Sequence, residues 1–266
     1  MARKPWFGIW RLIEDVLYAG REYTVQVPHG RRVLTPWFDE ATEFGRIQRS
    51  VRNQGGPSPD SNFMLHQLVR RCLRLPGDMA ECGVFRGSSA KVIATTLAHR
   101  GAPAQLHLFD TFEGIPSVWD PNHDYTRPGT FGDTSLEQVQ RCLADHLERC
   151  VFHPGLIPET FSEVPEGAAF SLVNVDVGLY ATEKACAEFF WPRLVPGGAM
   201  LFGPYGLYPY RRATRRAVDE FFSSVGEEPI LLPSGQGLLM KGVAQEPTSR
   251  SSWPGEVREL RQLDNA

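Results

Sequence analysis

No run of about 18 apolar residues occurs anywhere in the 266-residue sequence, so no transmembrane helix is expected. Cysteine is scarce. Cys72, Cys82, Cys142, Cys150 and Cys186 are odd in number and widely spaced, with no C-x-x-C and no Cys/His cluster at zinc-ligand spacing. That argues against a disulfide framework or a structural zinc and points to a reducing cytoplasm. The thiols read as small core residues. Dense positive charge is also missing: 28 Lys+Arg stand against 31 Asp+Glu, a formal net charge of −3, with the signs interspersed. No nucleic-acid footprint follows from that pattern, and Arg3, Arg11, Arg21, Arg31 and Arg32 read as a solvated face. No secretory signal is expected, because Arg11, Glu14 and Asp15 interrupt the apolar stretch from Trp6 to Gly20 and no small-residue cleavage site follows. The expected partner is a small molecule or another protein, without nucleic acid and without membrane insertion.

What is present falls into three stretches. In residues 1–60, Trp6, Phe7, Ile9, Trp10, Ile13, Val16 and Leu17 recur at helical spacing. This predicts an amphipathic helix packed on its own domain or on a second subunit, hence a lid or a homodimer (or higher homo-oligomer) contact, with a membrane-surface anchor as the alternative. Trp37 and Phe38 precede a helical stretch from Glu40 to about Asn53, and residues 54–61 (QGGPSPDS) read as a linker. Residues 61–242 alternate strand and helix. Helices are expected at Asn62–Arg74, Ser89–His99, Leu136–Arg149, Thr182–Leu194 and Arg211–Ser224. Strands are expected at Met79–Val84, Leu106–Phe109, Val151–His153, Phe170–Val177 and Ala199–Phe202, followed by a hairpin from Pro229–Leu232 and Gly237–Lys241. The alternation predicts an α/β, Rossmann-like sandwich: a mostly parallel, seven-stranded sheet covered on both faces, with an antiparallel edge. Residues 243–266 are polar and Pro/Ser-containing and are expected to be a flexible tail.

In such a sheet, ligands sit at the carboxyl ends of the strands where the strand order reverses. The first strand ends in Glu81-Cys82-Gly83-Val84-Phe85-Arg86-Gly87-Ser88-Ser89. Gly83 and Gly87 allow a tight turn and a close backbone approach. Ser88 and Ser89 then open a helix whose free N–H groups favour a carboxylate or a phosphate. The turn is not the G-x-G-x-x-G of dinucleotide binders. The second strand ends in an acid, Asp110, which lies about 25 residues further on and is placed to bind vicinal ribose hydroxyls. The two signals together predict a nucleoside-bearing cofactor.

At this level of detail the sequence resembles the macrocin O-methyltransferase (TylF-like) family of class I, S-adenosylmethionine-dependent enzymes. The resemblance is carried in order by PWFD (36–39), GDMAECGVFRGSSA (77–90), DTFEGIP (110–116), GDTSLEQV (132–139), VDVGLY (175–180), RLVPGG (193–198), GPYG (203–206) and RAVDEFF (216–222). It implies that Glu81, Gly83, Val84, Arg86, Gly87, Ser88 and Ser89 hold the methionine end of S-adenosylmethionine. It further implies Asp110 at the ribose, Thr111, Phe112 and Glu113 near the adenosine, and Asp133 as a further pocket residue. The family carries Asp-x-Asp and Asp-Asp-Tyr at the ends of its fourth and fifth strands, and the second Asp of the first motif with both of the second would hold magnesium. Here those positions are Gly178, Gly203 and Pro204. Glycine and proline offer no side-chain oxygen, so no catalytic metal is expected.

Without a metal, the acceptor needs a protein base or a less demanding chemistry. Candidate catalytic residues are Asp176, His123, His153 and Tyr205, with Asp124 and Tyr125 also in the long loop 117–131 (SVWDPNHDYTRPGTF) that is expected to cover a substrate. The leading expectation is a metal-independent methyltransferase acting on an O or N atom of a small specialised metabolite. Two other readings stay open: an enzyme of the same fold turned to a cyclase, pericyclase or lyase reaction, and a catalytically silent partner subunit.

Overall fold

The computed structural model describes residues 39–242. The aromatic segment 6–20, Trp37, Phe38 and the tail 243–266 lie outside the described residues. Two helices come first: α1 (Glu43–Val51), capped by the Thr42 hydroxyl on the Gly45 N–H, and α2 (Pro59–Cys72). The α2 helix starts three residues earlier than the sequence suggests, because Pro59 takes the first helical position, where its missing N–H costs nothing.

The strands β1 (Asp78–Cys82), β2 (Leu106–Asp110), β3 (Cys150–Pro154), β4 (Phe170–Val175) and β5 (Leu194–Phe202) are parallel. The pair β6 (Ile230–Leu231) and β7 (Gly237–Met240) adds the antiparallel edge. The order is β3-β2-β1-β4-β5-β7-β6, so the direction of winding reverses between β1 and β4. Between the strands run α3 (Ser88–His99), α4 (Leu136–Cys142), α5 (Tyr180–Arg193) and α6 (Arg216–Ser224).

Two expectations change in detail. The predicted helix over Leu136–Arg149 breaks at Leu143 and continues as a tighter 3₁₀ segment, Ala144–Arg149. Residues 211–224 begin with a wide π turn, Arg211–Arg215, before α6. The Pro196-Gly197-Gly198 turn is absorbed into an irregular start of β5, where the register to β4 shifts between Phe170 and Leu172.

Strand side chains alternate between two cores. Met79, Leu106, Leu108, Leu172 and Leu201 pack towards α2 and α3. Ala80, Cys82, Phe109, Val173, Val175 and Phe202 pack towards α5 and α6 with Phe190 and Phe222. The same alternation sets the site. Glu81 pairs in register with Asn174 across β1 and β4, and both side chains fall on the α3 face.

Candidate active site

A cavity of about 610 Å³ opens at the carboxyl ends of the strands, over the β1/β4 reversal. That is the size of a small-molecule site. Gly83 begins its floor. The residue sits at φ +85°, and a Cβ there would lie 2.2 Å from the Asp176 carbonyl oxygen, so only glycine lets the ends of β1 and β4 come together. The chain then turns through Gly87 into α3, whose first residues Ser88 and Ser89 line the cavity with no side-chain cap on the helix end.

Beneath this turn Glu81 is fully buried. Its Oε1 accepts from the Asn174 amide at 2.7 Å, while Oε2 has no hydrogen-bond partner. Burial pushes its pKa up to about 8, against the opposing pull of Ser89 and Asn174. Asp110 also faces the turn: Oδ2 accepts the N–H groups of Val84 (2.6 Å) and Phe85 (3.0 Å), and Oδ1 accepts that of Phe112 (2.8 Å). The carboxylate therefore fixes the shape of the Gly83–Gly87 turn while lining the cavity. Thr111 lines it too, with its hydroxyl donating to the Gly114 carbonyl at 2.7 Å.

Asp176 leaves the end of β4 and lines the cavity. Protein surrounds its carboxyl group, yet its accessible surface is appreciable, because that surface is cavity wall rather than the outside of the molecule. Desolvation pushes its pKa up to about 6. The backbone beyond it is held from below by Glu183, also fully buried, whose Oε1 accepts from the Gly178 N–H (3.0 Å) and the Thr214 hydroxyl (2.8 Å). Burial pushes Glu183 up to about 8 as well.

Gly178 and Gly203 are both closely approached by side chains. Gly178 is left-handed (φ +68°), and a Cβ there would meet the Tyr210 ring at 2.8 Å. A Cβ on Gly203 would lie 2.6 Å from the Asp176 carboxyl carbon. Among the described residues no group of three or more His, Cys, Asp or Glu is arranged to hold a metal ion.

Several sequence-derived candidates lie elsewhere. His153 sits on β3 with both ring nitrogens engaged, by Glu163 (2.7 Å) and His107 (3.0 Å), and its ring stacks on Phe109. His123 is bonded to Asp120 (2.7 Å) and Arg216 (3.0 Å) and stacks on Tyr180, outside the cavity wall. Tyr205 is buried and its hydroxyl donates to Asp219 at 2.7 Å. Asp133 is exposed and pairs with Arg86, Glu113 is exposed, and Phe112 is a core residue. None of these lines the cavity.

Conversely, the cavity uses residues the sequence did not single out. Ser58, Ser61 and Asn62 from the start of α2 form one wall, with Asn62 buried and its side-chain oxygen unpartnered. A Ser-Pro helix start gave the only local hint. Tyr210, which reaches Gly178 from 32 positions downstream, gave none. The loop 117–131 is tied down over the site. Asp124 accepts the Tyr180 N–H at 2.8 Å, and the Thr126 hydroxyl donates to the Tyr210 oxygen at 3.2 Å.

The two buried glutamates carry a pH signature. Their native pKa values, about 8, lie above the ordinary 4.5. Their protonated forms are favoured in the fold, so this stabilisation is full below pH 4.5 and lost as pH rises through about 8. The thermal midpoint is expected to fall between pH 6 and pH 9. Glu183→Gln, which mimics the protonated form, is expected to flatten that fall, and an unchanged slope in the variant would remove Glu183 as a source.

Strand order, the reversal between β1 and β4, and a ligand-sized cavity above it define a class I methyltransferase fold. The chain belongs to the macrocin O-methyltransferase (TylF) family, whose model matches residues 64–229. It is 30% identical over 196 residues to the 8-demethyl-8-(2,3-dimethoxy-alpha-L-rhamnosyl)-tetracenomycin-C 4'-O-methyltransferase of Streptomyces olivaceus, covering 69% of this chain and 72% of that protein. Mycinamicin III 3''-O-methyltransferase of Micromonospora griseorubida is 26% identical, over 69% of this chain and 75% of its own. Among solved structures, the O-methyltransferase NovP superposes with a TM-score of 0.63 at 23% identity, covering 72% of this chain and 87% of NovP.

Proposed function

We propose that this member of the family transfers a methyl group from S-adenosylmethionine to an O or N atom of a small specialised metabolite without a metal ion. The observation that carries the reading is Asp176: a carboxyl lining the cavity, with a pKa near neutrality, beside positions where glycine, proline and the Tyr210 ring replace the family's other carboxylates.

The residues fit the cofactor. Glu81, buried beneath the Gly83 turn and outside the cavity wall, would act by holding that turn together with Asn174, and the uncapped N-terminus of α3 at Ser88 and Ser89, which lines the cavity, suits a carboxylate. Gly83 and Val84 would support the methionine end and Asp110 the ribose, with Asp110 acting also through the turn it organises. Bound there, S-adenosylmethionine supplies a methyl group activated by its sulfonium charge. The protein's own work is to orient the acceptor, exclude water and take a proton. Asp176, ionised above about pH 6, is the group for that last task. The loop 117–131, tied to Tyr180 and Tyr210, would close the acceptor side.

The assignment of Asp110 is tested by Asp110→Ala. The substitution removes the acceptor of three backbone N–H groups, so affinity for S-adenosylhomocysteine is expected to fall about tenfold or more. Unchanged affinity in isothermal titration would remove Asp110 from the cofactor site.

A further inference from the structure

Outside the cavity wall, four ionisable side chains stand in a row across β1, β2, β3 and the 3₁₀ turn Glu159–Glu163. Asp78 Oδ2 faces His107 Nε2 at 3.5 Å, His107 Nδ1 faces His153 Nε2 at 3.0 Å, and His153 Nδ1 faces Glu163 Oε2 at 2.7 Å. The other Asp78 oxygen is fixed by the Gln105 N–H at 2.8 Å. Both imidazoles are buried, while the two carboxylates reach solvent. Aromatic rings close the space around them: Phe109 stacks on His153, and Phe170 packs edge-on to His107. On α5, Arg193 lies over the Phe189 ring beyond Phe161 and donates to the Phe189 carbonyl, so it does not join the row.

The row has three contacts, and each needs one proton between its two heavy atoms. Two neutral imidazoles bring only two N–H groups. One contact then sets lone pairs face to face, and the row is slackest at Asp78. A single further proton fills all three contacts, whereas a second would set two cations side by side. Burial and the neighbouring His153 both push the His107 pKa below its ordinary value, against the pull of Asp78. The single charge therefore settles on His153, against Glu163. Glu163 ends the turn whose first residue, Glu159, lines the cavity, as do Gly155, Leu156, Ile157 and Pro158 before it.

We propose that the His107–His153 pair is a proton-operated clamp on the cavity wall: it takes up one proton between Asp78 and Glu163, and that proton fastens the Glu159–Glu163 turn to the sheet. With the proton bound, the Glu163 contact is a charge-assisted hydrogen bond. As pH rises and the proton leaves, that bond weakens and residues 155–163 open more readily. The clamp does not depend on which ligand the cavity takes.

Two measurements on the full chain test it. Imidazole nitrogen shifts, read by NMR on histidine-labelled protein, count the protons. The pair is expected to take up about one proton, with a single shared midpoint, across the pH range of about 5 to 8 in which imidazoles ordinarily titrate. Uptake of two protons in that range, or of none, would overturn the clamp. Amide exchange then reads the wall through the N–H groups of Gly155, Thr160 and Phe161, which donate to the Asp110, Leu156 and Pro158 carbonyls. After correction for the intrinsic pH dependence of exchange, they are expected to be at least about threefold better protected near pH 5.5 than near pH 7.5. Glu163 is half-exposed, so Glu163→Gln leaves the core intact, keeps an acceptor for His153 and removes the charge; the pH difference is expected to vanish. Equal protection at both pH values in the unaltered chain, or a difference that survives in Glu163→Gln, would equally overturn it.

Discussion

Asp176→Asn is expected to lower kcat by about 10²–10⁴-fold while the fold and the affinity for S-adenosylhomocysteine persist. The substitution keeps shape and removes only the capacity to take a proton. The wild-type rate should fall as pH drops through about 6, where Asp176 becomes protonated, and should level off above it. The variant should lose that limb. The effect ought to be large because Asp176 stands at the end of β4, whereas among the described residues Glu159, the other cavity-lining carboxyl group besides Asp110, lies in the turn after β3. His123 and His153 have both ring nitrogens engaged, the Tyr205 hydroxyl is committed to Asp219, and Asp110 holds three backbone N–H groups. A variant with near wild-type kcat and an unchanged pH profile would show that the proton leaves by another route.

Gly83→Ala is expected to be the most damaging single change to cofactor binding. Alanine must hold φ +85°, and its Cβ must find room where the Asp176 carbonyl oxygen stands at 2.2 Å. The left-handed conformation costs roughly 1–2 kcal/mol, and forcing β1 and β4 apart adds on the order of 1–3 kcal/mol. Because Gly83 N–H also donates to the Phe109 carbonyl and Asp176 N–H to Cys82, the strain spreads to all three central strand ends. Affinity for S-adenosylhomocysteine should fall on the order of a hundredfold, with a lowered melting temperature. Retained affinity would place the cofactor away from this turn.

The fold was largely readable because its signals are local. Apolar runs bounded by Gly and Pro marked the central strands, and helical periodicity between them marked the covering helices, each within a few residues of its observed position. Where the reading slipped, the deciding contact lay elsewhere in the chain. The break at Leu143 lets Ala144–Arg149 tighten so that the Thr95 hydroxyl can reach His146 and Arg149 can reach the Ala102 carbonyl. The Pro-Gly-Gly segment joins β5 because its edges pair with β4 and with Lys241 beyond β7.

The site divides in the same way. The Glu81–Ser89 turn and Asp110 were visible because a strand–turn–helix and a strand-end acid have sequence signatures. The roles of His123 and His153 were not, since their partners Arg216 and His107 lie 93 and 46 positions away. The vacancy of side-chain oxygen at Gly178 could be read from the sequence. That the Tyr210 ring stands against Gly178 could not, because the two lie 32 positions apart in the chain.

The central claim, a working S-adenosylmethionine pocket beside a metal site that has been overwritten, is tested most directly by calorimetry in two stages. S-adenosylhomocysteine is titrated into protein freed of metal with chelator, and magnesium is then titrated into the complex. The account predicts saturable micromolar binding in the first stage and no saturable binding of magnesium in the second. No binding of S-adenosylhomocysteine, or a stoichiometric magnesium site in its complex, would contradict it.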